Sequence, residues 1–144
     1  MNPDQPQASL RTLWVLYFAF TGAAVIYAVI GKILADGAVD VPFPLPVTAA
    51  LIVAAAGTLV AAYIIPRGTW AKAASQRMKD PRDALASYQT AMIMHWACLE
   101  AVAIYGLVLT VMTGQWLPSL VGTVVSLAFL ATARPRPGSL GIQV

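Results

Sequence analysis

The chain has 144 residues, of which 59% are hydrophobic and only 10% charged, with a mean hydropathy of +0.73. Soluble domains average about 45–50% apolar and about 25% charged residues, and so short a chain buries a small fraction of its surface, which argues strongly against a water-soluble fold. The net charge of +3 comes from clustered basic residues with no aromatic interleaving, so nucleic acid is not an expected partner, and one cysteine rules out an internal disulfide framework.

The tail 1–12 contains Asp4 and two prolines where a secretory leader would carry a basic run, and the apolar stretch after it exceeds the usual signal core. It is therefore read as a retained helix, spanning 13–34. The segment 35–46 holds Asp36, Asp40 and three alternating prolines, which favour an extended, stiff connection on the outer face. A second span covers 47–65. Its small residues fall into two rows at four-residue spacing, Ala50, Ala54 and Thr58, and Val53, Gly57 and Ala61. Such rows let helix backbones approach closely, either within the bundle or against a partner subunit.

Pro66 and Gly68 predict the end of the second helix. The loop 66–87 then carries Trp70, Lys72, Arg77, Lys79 and Arg82, with Trp70 and several alanines expected to lie at the headgroup level of a membrane. Anionic lipid or a partner protein is the expected contact of these five residues. Asp80, Pro81 and Asp83 read as a helix start, so the third helix begins near Pro81, enters the membrane near residue 88 and is expected to be the longest element. Its span is 88–113. The fourth, 117–133, carries Pro118 in its first turn, and the tail 134–144 follows.

The expected fold is thus all-α, a bundle of four transmembrane helices. Eight of the nine basic residues fall on one side of it: Arg11, the five residues between the second and third spans, Arg134 and Arg136. Lys and Arg are enriched in cytoplasmic loops, so both termini and the loop 66–87 are expected in the cytoplasm, with a bacterial inner membrane as the natural location. Lys32, the exception, sits near an outer helix end, where its long stem can reach the interface.

Two residues of the third span bear on function. Glu100 lies near mid-span, where a charge is costly and an ionisable side chain is a functional-site hypothesis by default. No Lys or Arg lies at its depth, so the neutral acid is expected, hydrogen-bonded to a hydroxyl or a backbone carbonyl. Thr21, Thr58, Thr123 and Ser126 fall at similar depth on the other helices. This arrangement serves packing, proton or ion handling, or a ligand contact.

His95 lies five residues earlier, about 7.5 Å nearer the cytoplasm and about 140° around the helix from Glu100. The two do not form a metal pair. His95 and Cys98 share a face but lack a third ligand, so no metal site is expected. His95 reads either as a hydrogen-bonded packing residue or as a contact for haem, pigment or quinone. The sequence requires no cofactor. It has no glycine-rich phosphate loop, no paired carboxylates and no Ser, His and Asp set, so no enzymatic activity is expected.

The stretch 88–109, with Leu99-Glu100-Ala101 followed by Ile104, Gly106, Leu107 and Val108, resembles the carboxylate-bearing helix of ring subunit c of rotary ATP synthases. An alanine-rich helix and a basic loop precede it, as in that family. The resemblance implies a homo-oligomeric ring with Glu100 as the ion-carrying group, and Ala101, standing where sodium-selective relatives offer a hydroxyl, implies a proton. Otherwise the chain looks like bacterial four-span membrane proteins in general, which implies no activity. The leading expectation is a small structural or accessory subunit of a larger, energy-transducing membrane complex, in contact with lipid and other membrane subunits.

Overall fold

A computed structural model describes residues 4–38, 45–76 and 81–135. The described residues form four helices, α1 (Asp4–Asp36), α2 (Leu45–Gln76), α3 (Pro81–Thr113) and α4 (Leu117–Thr132). Three stretches, Arg11–Asp36, Leu45–Ile65 and Ala84–Thr113, are long and apolar enough to cross a membrane, and α4 is a shorter apolar helix. At 1.5 Å per residue α4 is about 24 Å long. Large apolar side chains such as Phe18, Ile33, Val53, Ile64, Val111 and Leu117 are exposed around the bundle. Helices this apolar on every side belong in a membrane or a large core.

The helix ends differ from the sequence expectation in informative ways. α1 begins at Asp4, well before the apolar run, and its 33 residues equal the length of α3. α3 is therefore not the single longest element. α3 does begin at Pro81, and α4 carries a proline in its first turn. α2 does not stop at Pro66 or Gly68 but runs on to Gln76, so Trp70 and Lys72 belong to the α2 backbone and not to a loop. Arg82 lies in the first turn of α3. Arg77, Lys79 and Asp80 fall outside the described residues, as does the proline-rich segment 39–44, while Pro46 already belongs to α2.

α3 is the hub. α1, α2 and α4 all pack on it, α1 and α4 also pack on each other, and α1 and α2 hardly touch although they are consecutive in the chain. The side-chain register, Tyr17 with Trp96 and Tyr27 with Glu100, makes α1 parallel to α3. α4 runs antiparallel to both, with Tyr17 meeting Leu130 and Ser119 meeting Tyr27. At one end Leu13, Tyr17, Ala62, Tyr88, Met92, Trp96, Leu99 and Leu130 form the core. Toward the other end α3 and α4 cross on glycine. A Cβ on Gly106 would lie 2.5 Å from the Pro118 carbonyl oxygen, and one on Gly122 would lie 3.1 Å from the Gly106 Cα.

The α3–α4 turn uses Gly114, whose φ of 70° suits a residue without Cβ and lets its N–H close the helix on Thr110 O at 2.9 Å. Thr110 Oγ1 then accepts the Ser119 amide at 2.9 Å, satisfying one of the open N–H groups of α4. At this end Lys32 pairs with Asp36 and stands 5.7 Å from the centroid of the Trp116 ring. Lys32 is thus neutralised locally and held against an aromatic.

Candidate functional site

Glu100 and His95 project from α3 toward different helices, as their angular separation requires. Glu100 faces α1, where the Tyr27 hydroxyl donates to its Oε1 at 3.0 Å. The pair sits at the rim of the bundle. One turn before Glu100, Trp96 is fully buried, whereas Ala97 and Ile104, about 60° and 40° to the other side of the helix, are exposed. Glu100 itself is half-buried.

Of the four hydroxyls matched to Glu100 by depth, none bonds it. Thr21 and Thr58 donate to carbonyls of their own helices, Tyr17 O and Ala54 O, both at 2.8 Å. Thr123 donates across the bundle to Ala24 O at 3.2 Å. Ser126 is fully buried and its Oγ has no hydrogen-bond partner among the described residues. The partner that Glu100 does use is Tyr27, whose depth along the sequence does not match that of Glu100. Side chains in a helix lean toward its N-terminus, so a tyrosine farther along the parallel α1 reaches back to the carboxyl.

His95 is buried, only 5% exposed, and faces α2. Its Nδ1 lies 2.5 Å from Ala62 O. A carbonyl oxygen only accepts, so Nδ1 carries the proton. The imidazole stands edge-on to Tyr63, 5.8 Å between centroids, and Tyr63 in turn meets Phe129 of α4 at 5.9 Å. Ala62 is the residue whose carbonyl a Pro66 amide would take in an unbroken helix, and proline has no such amide. A buried carbonyl left without a partner costs about 1–3 kcal/mol. His95 supplies the missing donor from a neighbouring helix, one of the ways proline is accommodated in apolar helices.

Other polar groups of the bundle serve the α4 seam. Tyr17 donates to Leu130 O at 3.3 Å and Trp96 Nε1 to Ala133 O at 2.9 Å, so α1 and α3 satisfy carbonyls at the C-terminal end of α4. Ser119 Oγ donates to Tyr27 O at 3.1 Å, which anchors the backbone of the residue that holds Glu100. Among the described residues no group of three or more His, Cys, Asp or Glu side chains could hold a metal ion.

The two small-residue rows of α2 divide between two environments. Ala54, Thr58 and Ala61 are partly covered, while Ala50, Val53 and Gly57 are exposed. Nothing approaches a Cβ placed on Gly57 within 4 Å. Over its most apolar 18 residues only 6% of α2 is buried in the bundle, against 39% for α3. No protein-family model, curated protein or solved structure matches the chain.

Proposed function

We propose that this chain is a small, non-enzymatic integral membrane protein that serves as a structural or accessory subunit of a larger membrane complex. Its four helices lie in a bacterial cytoplasmic membrane, with both termini and the α2–α3 connection in the cytoplasm. Eight of the nine basic residues lie toward that side, and the ninth, Lys32, is paired with Asp36. Trp70, Lys72, Arg77, Lys79 and Arg82 contact anionic headgroups or a cytoplasmic partner there.

The observation that carries this reading is the open face of α2. Helix association in lipid depends on close backbone approach through small residues, and the exposed Ala50 and Gly57 offer that approach to a helix outside the bundle. The test is purification in mild detergent followed by mass spectrometry, with Gly57→Leu as the variant. Copurifying membrane subunits that Gly57→Leu releases, with the chain itself still accumulating, are expected. A chain that purifies alone, or partners indifferent to the substitution, would overturn the reading.

A second reading makes Glu100 a proton carrier of a ring-subunit-like assembly. What favours it is the half-buried carboxyl at the bundle rim, steadied by a phenol and close to exposed apolar side chains. A hydrophobic carbodiimide, which modifies protonated carboxyls, is expected to label Glu100 selectively. On this reading Glu100→Gln abolishes transport while a homo-oligomer still assembles. On the accessory-subunit reading the same change leaves assembly and host activity nearly intact. Absence of labelling at every pH up to neutrality would contradict the neutral acid on which the carrier reading depends.

A further inference from the structure

We infer that His95 is a latch that fixes the direction of the basic helical extension of α2, and that Pro66 is the hinge it closes. Pro66 cannot donate to Ala62 O, and an unlatched proline within a helix, with Gly68 two residues on, is a point of bending. Yet α2 continues through both residues to Gln76, carrying Arg67, Trp70 and Lys72 beyond the apolar stretch that ends at Ile65. The His95 Nδ1–H takes the place of the absent amide, 2.5 Å from Ala62 O. Tyr63 on α2 holds the imidazole edge-on, and Phe129 of α4 backs Tyr63. The donor is therefore aimed by three helices. The basic extension takes its direction from α3, the helix that also carries Glu100 five residues farther on. This inference rests on the fold and stands whether or not a partner subunit docks on α2.

Amide hydrogen exchange over residues 67–76 of the full-length protein in detergent micelles tests the latch. His95→Leu removes the donor and is expected to speed exchange roughly tenfold. His95→Asn keeps an N–H bonded to Cγ, the same place as Nδ1, and is expected to stay within about twofold of the natural chain. Pro66→Ala restores the amide, so adding His95→Leu to it should change exchange by less than about twofold. Equal acceleration by His95→Leu with and without Pro66→Ala would reduce His95 to ordinary packing and overturn the inference, as would no acceleration at all or a failure of His95→Asn to protect. Should His95→Leu alone not accumulate, accumulation of the double variant supports the latch and its failure overturns it.

Discussion

Toward α1 and α4, α3 belongs to a closely fitted bundle, crossing α4 on Gly106 and Gly122 while side chains from three helices donate to carbonyls of neighbouring ones. Toward α2, His95 donates to Ala62 O, and most of the α2 surface stays uncovered. Both interfaces bury small residues, Ala62 among them, but α2 also keeps Ala50 and Gly57 exposed. A small residue pressed against backbone is part of the fold. A small residue facing open space, as at Gly57, is left for something else.

The largest expected effect is at the glycine crossing. Gly106→Leu places atoms where the Pro118 carbonyl already lies within 2.5 Å of a Cβ, and backbone on both sides cannot yield cheaply. A loss of about 3 kcal/mol or more is expected, read as failure to accumulate or as a lowered unfolding midpoint in detergent. Tyr17→Phe, which removes only the hydroxyl bonded to Leu130 O, should cost about 1 kcal/mol in the same measurement. Thr123→Val, which removes the bond to Ala24 O, should cost about 0.6 kcal/mol, the average for such bonds between membrane helices. Gly57→Leu should change the stability of the isolated chain by no more than about 0.5 kcal/mol. If Gly57→Leu destabilises the isolated chain as much as Gly106→Leu, the two interfaces do not differ and the comparison fails.

The apolar runs made the helices legible in the sequence, and proline marked the starts of α3 and α4, because a proline in the first turn forfeits no hydrogen bond. The same residue misled at Pro66. Whether an interior proline ends a helix depends on whether another group takes the freed carbonyl, and His95 lies 29 residues away in the chain, so no local pattern reveals it. Helix hydroxyls misled in another way. Thr21 and Thr58 always have a carbonyl of their own helix within reach, so shared depth with Glu100 did not bring them to it. The register that places Tyr27 beside Glu100 is set by the α1–α3 packing, which no single helix encodes.

The central claim, that the open face of α2 receives another membrane subunit, is tested most directly by a photoreactive residue at Val53, with the exposed Val124 of α4 as the comparison, cross-linked in native membranes. A discrete protein adduct from Val53, with lipid adducts alone from Val124, is the predicted result. Lipid adducts alone from both positions would contradict the claim.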